Sequence, residues 1–257
     1  MVDVHSHIVF DVDDGAKTIE DSVEMLKEAQ KVGFTDVILT PHYMEDYYEV
    51  ETISILEKIE SIKEQLRKEG VNIQIYPGNE IYITSDILTL MDTKKASTLN
   101  QTRYVLFELP MNTECVNLTE VVYQILSAGK IPIIAHPERY GWVQKDPNKL
   151  IPLIEDGVLL QANYGSVLGQ YGKTCKETVK ILLEHQMVHL LGTDVHIPKH
   201  IYLKIEEATH EIQKWIGEEA YTMLSTINPQ KILQDEAIDI PSPMSYKEKW
   251  FTKFFSK

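Results

Sequence analysis

The sequence predicts an α/β chain whose parallel strands close into a distorted, TIM-like (β/α) barrel of seven strands. Amphipathic helices alternate with short apolar strands along most of the chain, and glycine marks most of the junctions. Six of the seven candidate strands also end in His, Asp or Glu.

The elements follow in order. Val2–Val4 is the first strand. Residues 18–32 place Ile19, Val23, Leu26 and Ala29 at helical spacing, and Gly33 stops that helix before the strand Val37–Leu39. Residues 52–69 repeat the scheme with Ile55, Ile59, Ile62 and Leu66, then Gly70 and the strand Val71–Tyr76. Tyr104–Phe107 is the fourth strand. Residues 118–128 align Val121, Val122, Ile125 and Leu126 before Gly129 and Ile131–Ala135. Residues 147–156 lead through Gly157 to Val158–Ala162, and residues 174–185 lead to Met187–Leu191. Apolar strands alternating with helices imply parallel pairing with covered faces.

The strand ends separate an open sheet from a barrel. His5 and His7 follow the first strand, His42 the second, Glu80 the third, Glu108 the fourth, His136 the fifth, and Asp194 and His196 the last. An open sheet gathers residues only near its switch point, whereas a barrel brings every strand end to one mouth. Imidazoles and carboxylates converging there are metal chemistry, suited to divalent Mn, Fe, Zn or Mg. Five histidines with several acids exceed what one ion can use, so two or three ions with bridging carboxylates are expected. His185, His189, His200 and His210 fall elsewhere and read as surface or packing residues. Asp11-Val12-Asp13-Asp14-Gly15 places its glycine one position too early for an EF-hand loop. An aspartyl-phosphatase reading of the same run leaves the histidines without a role, and a third reading adds Asp14 to the ligands.

Composition narrows the function. The 257 residues are 43% apolar and 25% charged, so one globular core is expected. A net charge of −14 argues against nucleic acid as partner and disfavours a metal-dependent nuclease. Two cysteines, no basic apolar leader and no run of membrane length give the expectation of a cytoplasmic protein. Of three arginines, only Arg139, in His136-Pro137-Glu138-Arg139, follows a candidate ligand on a mouth loop, where a guanidinium can grip phosphate. Neither cysteine carries an arginine six residues on: Val121 and Ile181 stand there. If this chain is a phosphatase, it cannot use a cysteine thiolate and must use metal-activated water. Asp13 is the candidate for any general acid. Tyr43, Tyr47, Tyr48 and Tyr82 are candidates for an aromatic rim that stacks on the substrate ring.

Asp3-Val4-His5-Ser6-His7, Asp13-Asp14-Gly15, Thr40-Pro41-His42, Gly78-Asn79-Glu80-Ile81, Arg103–Glu108, Ala135–Arg139 and Asp194-Val195-His196 together resemble the polymerase-and-histidinol-phosphatase (PHP) superfamily. More closely, they resemble its manganese-dependent protein-tyrosine phosphatases of Gram-positive capsule and exopolysaccharide synthesis. The resemblance runs from Met1 to about Asp235. It implies a distorted seven-stranded barrel with a trinuclear centre, manganese favoured and Fe, Zn, Co or Mg as alternatives. His5, His7, Asp14, His42, Glu80, Glu108, His136, Asp194 and His196 would be the ligands, and Arg139 would hold phosphate. The implied substrate is the phosphotyrosine cluster of a membrane-associated tyrosine kinase. Histidinol-phosphate phosphatase and a non-catalytic metal-stabilised docking scaffold are the competing readings.

The barrel is expected over residues 1–240. Residues 241–257 open on Pro241-Ser242-Pro243 and carry four lysines against one glutamate, interleaved with Trp250, Phe251, Phe254 and Phe255. Such a tail suits peripheral contact with the inner face of the plasma membrane or with a partner groove.

Overall fold

The computed structural model describes residues 1–247. Nine strands occur among them: β1 (Val2–Asp3), β2 (Asp36–Leu39), β3 (His42–Tyr43), β4 (Gln74–Pro77), β5 (Glu80–Tyr82), β6 (Tyr104–Glu108), β7 (Ile131–Ala135), β8 (Leu159–Asn163) and β9 (Leu190–Gly192). Every ladder is parallel, in the orders β1-β2-β4 and β3-β5-β6-β7-β8-β9. The sheets curl into a half-barrel. They meet through the continuation of β1: Ser6 bridges Val195 in parallel, and the His7 amide donates to the Val195 carbonyl at 2.9 Å. Nine strands appear where seven were expected because Thr40-Pro41 separates β2 from β3 and Gly78-Asn79 separates β4 from β5. Pro41 has no N–H to give a ladder. Gly78 packs so close to Leu99 that a Cβ would lie 2.9 Å from its methyl group.

Among the described residues, eleven α-helices surround the strands: α1 (Ile19–Lys31), α2 (Thr52–Lys68), α3 (Ile87–Asp92), α4 (Leu118–Ser127), α5 (Gly141–Lys145), α6 (Ile151–Glu155), α7 (Tyr164–Val167), α8 (Lys173–Glu184), α9 (Ile205–Ile216), α10 (Glu218–Thr222) and α11 (Asn228–Leu233). Thr18 starts α1 with a capping box closed by Asp21. The helix expected over 147–156 is instead a 3₁₀ turn, Pro147–Leu150, followed by α6. Pro152 breaks it, lacking an N–H and crowding the carbonyl of residue 148. The third strand begins at Gln74 rather than Val71. The Val71 amide bonds the Leu66 carbonyl and the Asn72 amide bonds the Gln30 side chain, so neither is free for a ladder.

Side chains alternate across each strand. Tyr104 and Leu106, Ile133 and Ala135, Leu159, and Leu190 share one small cluster with Val2, Val4 and Ile38, closed by Leu99, Ile232 and Ile238. Val105, Phe107, Ile134, Leu160 and Leu191 face the larger core under the helices. Continuing the first set toward the C-terminal ends brings Glu108 on β6 and Gln161 and Asn163 on β8 to the same mouth.

His189 packs as expected, 1% exposed just before β9. Its Nδ1 accepts the Leu160 amide at 3.0 Å, and burial drives its pKa down to about 4. The folded state therefore keeps His189 neutral while the unfolded chain protonates it near 6.5. Its contribution is complete above that value and is lost as pH falls toward 4, by up to about 3 kcal/mol. Urea midpoints at pH 7.5 and 5.0 should show this loss in the wild type. His189→Asn keeps an acceptor for Leu160 and should lack that part of the loss; an unchanged pH dependence would refute the assignment.

The chain beyond Ile240 does not leave the body at once. The Met244 amide donates to the His185 carbonyl at 2.9 Å, and the Asn148 side chain exchanges two hydrogen bonds with the Tyr246 backbone. Trp250, Phe251, Phe254 and Phe255 lie outside the described residues.

Candidate metal centre

All nine candidate ligands gather at the C-terminal ends of the strands. Four of them make a fully enclosed nest. His5 Nε2 lies 3.2 Å from Glu80 Oε2, 3.5 Å from Asp194 Oδ1 and 3.2 Å from His7 Nε2. His7 Nε2 lies 3.3 Å from both of those oxygens. Next to it, His42 Nδ1 lies 3.1 Å from Glu80 Oε2 and 3.3 Å from Glu108 Oε1. Toward solvent, Asp14 Oδ1 stands 3.4 Å from His196 Nε2 and 3.7 Å from His42 Nε2. His136 Nε2 contacts the other Glu80 oxygen at 2.9 Å.

Local backbone makes this convergence possible. His136 and Asp194 sit at φ 34° and 53°, a conformation non-glycine residues rarely adopt. Amide bonds hold both turns: Arg139 N–H to the His136 carbonyl at 3.0 Å, and Asp194 N–H to the His5 carbonyl at 2.9 Å. Gly15 lets the first loop fold onto His7, since a Cβ there would lie 2.1 Å from the His7 carbonyl oxygen.

The donor set fits divalent cations. The nest edges of 3.2–3.5 Å are those expected of donors about 2.1 Å from one centre. Glu80 Oε2 is buried without a hydrogen-bond partner, although three imidazole nitrogens surround it. Three overlapping groups could each hold an ion: His5, His7, Glu80 and Asp194; His7, Asp14, His42 and His196; and His42, Glu80 and Glu108. Imidazole nitrogen with carboxylate oxygen suits Mn, Fe, Zn and Mg.

The charges of the site are strongly coupled. Burial disfavours every charge here, yet the opposed groups outweigh it. Glu80 and Asp194 push His5 up to about 9, and Asp13 with its neighbours lifts His7 well above its usual value. The same pairings hold Glu80 and Asp194 well below the carboxylate range. In the nest the opposed charges of imidazole and carboxylate therefore stabilise one another.

Several expectations need correction. Asp13, the candidate for any general acid, is placed instead as an acceptor within the site. Its oxygens accept His7 Nδ1 at 2.7 Å, the His42 amide at 2.9 Å and the Gly15 amide at 2.9 Å. Burial raises its pKa, but His7 and these bonds outweigh burial and hold it below the usual value. Asp13 therefore orients His7. Tyr43 is a core residue, 2% exposed, and not part of a rim. Tyr48 does stack on His42 at 5.7 Å, Tyr47 is exposed and Tyr82 is half-buried. Arg139 is not confined to a phosphate: its Nη1 donates to Asp194 Oδ2 at 2.9 Å, and its guanidinium lies 4.5 Å over the Tyr171 ring.

Some residues of the site escaped sequence reasoning. Gln161 and Asn163 come from the one strand that ends in no acid or histidine. Their signal was the alternation Leu159, Gln161, Asn163, which puts amides where apolar side chains end. Glu138 is fully buried and accepts the Asn163 amide at 2.9 Å and the Ser166 hydroxyl at 2.6 Å, which pins the loop carrying His136 and Arg139. Asp3 accepts Thr193 N–H at 2.9 Å and Tyr202 O–H at 2.8 Å beneath Asp194. Cys175 is buried beside Ser166, and burial pushes its thiol up to about 12, so it is no nucleophile.

Known proteins share this arrangement. Residues 1–234 match the family described as capsular polysaccharide synthesis, CpsB/CapC. The chain is 31% identical over 255 residues to tyrosine-protein phosphatase YwqE of Bacillus subtilis (strain 168), covering 99% of this chain and 100% of that protein. It is 32% identical over 243 residues to tyrosine-protein phosphatase CpsB of Streptococcus pneumoniae, covering 93% and 100%. A structure from work on YwqE and CpsB as "unique metal-dependent tyrosine phosphatases" superposes with a TM-score of 0.91 at 32% identity, covering 96% of this chain and 100% of that one. Histidinol phosphate phosphatase from Lactococcus lactis subsp. lactis Il1403 reaches a TM-score of 0.53 at 17% identity, covering 83% and 92%, which is a likeness of fold. By extent of match and by identity over nearly its whole length, the chain belongs to the CpsB/CapC family of capsular polysaccharide synthesis proteins.

Proposed function

We propose that this chain is a metal-dependent protein-tyrosine phosphatase of capsular or extracellular polysaccharide synthesis. The observation that carries the reading is the buried nest of His5, His7, Glu80 and Asp194 with Arg139 bonded at its edge, in a chain of the CpsB/CapC family. The nine residues are proposed as ligands of three divalent ions, manganese first among them. The fold is proposed to be a (β/α)7 barrel of PHP type, counting β2 with β3 and β4 with β5 as single interrupted strands. The Ser6–Val195 bridge supports that count.

Divalent ions bound there would lower the pKa of a water toward neutrality and neutralise phosphoryl oxygens. The rest is the work of the side chains. Arg139 commits Nη1 to Asp194 and keeps its other N–H donors for two phosphoryl oxygens. Tyr48, stacked on His42, offers an aromatic face for a substrate ring. A phenol of pKa about 10 leaves without a strong acid, consistent with Asp13 being held ionised.

The proposed substrate is a phosphotyrosine segment of a tyrosine kinase, met in the cytoplasm or at the inner membrane face. No helix among the described residues is long and apolar enough to cross a membrane. The tail of residues 241–257 is proposed to supply peripheral contact, through lysines interleaved with aromatic residues, most of which lie beyond residue 247. Sedimentation with anionic vesicles should weaken when it is deleted; equal binding would refute that role. For the activity itself, purified protein with Mn2+ should hydrolyse a phosphotyrosine peptide far faster than histidinol phosphate. The reverse preference would indicate histidinol-phosphate phosphatase, and metal binding without turnover a docking scaffold.

A further inference from the structure

The β8 amides form a chain whose direction is set at one end. Asp194 Oδ2 belongs to an ionised carboxylate and can only accept. It takes Nδ2–H of Asn163 at 2.8 Å. Asn163 must therefore turn Oδ1 the other way, where it accepts Nε2–H of Gln161 at 2.8 Å. Gln161 in turn presents Oε1 to His5 Nδ1 at 2.7 Å. Reversing either amide would set oxygen against oxygen. His5 Nδ1 is thus the donor, and Nε2 is the nitrogen facing Glu80, His7 and Asp194. All four side chains are buried, so no bulk water can substitute for a missing link. Gly192 leaves the room: a Cβ there would lie 2.8 Å from Gln161 Nε2 and 2.7 Å from His5 Cβ.

We propose that Gln161 and Asn163 are positioning residues of the metal centre. Their amides form a one-way relay from Asp194 to His5 that keeps a proton on His5 Nδ1 and aims Nε2 into the nest. The same relay ties the orientation of His5 to the carboxylate that Arg139 holds. Asp13 does the equivalent for His7, through Nδ1 at 2.7 Å. The inference rests on the reading that the nest holds divalent ions. An imidazole that loses the partner of its second nitrogen loses its fixed ring orientation and tautomer, which weakens metal affinity by about tenfold to a hundredfold.

The test is binding, measured apart from turnover. Full-length protein is stripped with chelator, then titrated with Mn2+ by calorimetry and with Co2+ by visible absorption. Gln161→Leu should weaken both titrations by about tenfold to a hundredfold. Gln161→Glu keeps an acceptor for His5 Nδ1–H but sets an oxygen against Asn163 Oδ1, so it should weaken binding, though less than Gln161→Leu. Asn163→Leu frees Gln161 to turn and should weaken binding while the protein stays folded by circular dichroism. Wild-type affinity in Gln161→Leu and Asn163→Leu would overturn the relay, as would equal loss in Gln161→Leu and Gln161→Glu. Should Gln161→Leu not fold, Asn163→Leu against Gln161→Glu carries the same contrast. A wild type that takes up neither ion would instead refute the metal centre itself.

Discussion

Stripping divalent ions with a chelator is expected to abolish phosphotyrosine turnover and to lower Tm. One ion at a hundredfold excess over its Kd contributes about 2.7 kcal/mol. In a chain of this size that is roughly 5–10 °C for a single site, and more if several fill. The loss should depend on pH. In the ion-free nest His5 is raised to about 9 by Glu80 and Asp194, above its unfolded value near 6.5. Its stabilising contribution is therefore complete below 6.5 and is lost as pH rises through 9. Bound cations make the carboxylates independent of that proton. The gap in Tm between loaded and stripped protein should widen from pH 6.5 to 9. Calorimetric scans at both pH values check this; an unchanged Tm with full turnover after chelation would refute a metal centre.

Arg139→Ala should reduce turnover of a phosphotyrosine peptide by roughly thirtyfold to a thousandfold, the 2–4 kcal/mol typical of losing one donor to a developing oxyanion. Metal content should persist, because Asn163 still bonds Asp194 Oδ2 and the nest uses Oδ1. Arg139→Lys should recover only part of the loss. An ammonium cannot hold Asp194 and two phosphoryl oxygens in one plane, nor lie flat on Tyr171. Near-wild-type kcat/KM in Arg139→Ala would place the arginine outside the reaction. Normal metal content with depressed kcat would separate its role from those of His5 and Glu80.

Much of the site was legible because βα units repeat a local rule. An apolar strand that ends in His, Asp or Glu puts that residue at the mouth wherever parallel strands curl together. His5, His7, His42, Glu80, Glu108, His136, Asp194 and His196 all follow it. Gln161 and Asn163 obey the same geometry but carry amides, and an amide at a strand end has no chemistry of its own to signal. Tyr43 was misplaced because aromatic content on a loop says nothing about which way the ring turns. The place of Asp13 was not legible because it is set by His7 and two backbone amides.

By itself the sequence determined the elements that short-range forces decide. Helical spacing set α1, α2, α4 and α8; uniform apolarity set the strands as parallel and covered; residue type at strand ends set the chemistry of the mouth. Its reach ended where proline and backbone accounting intervened, at Pro152 and at Val71 and Asn72. Only the tertiary structure decided which donors meet. His5 and Gln161 are 156 residues apart, and Arg139 and Asp194 are 55 apart. Those pairs exist because the sheet curls until β8 and β9 stand beside β1. Once water is excluded there, each carboxylate and imidazole must find a partner or a cation, and which one it finds is set by angles and distances of a few tenths of an ångström. No local pattern encodes those.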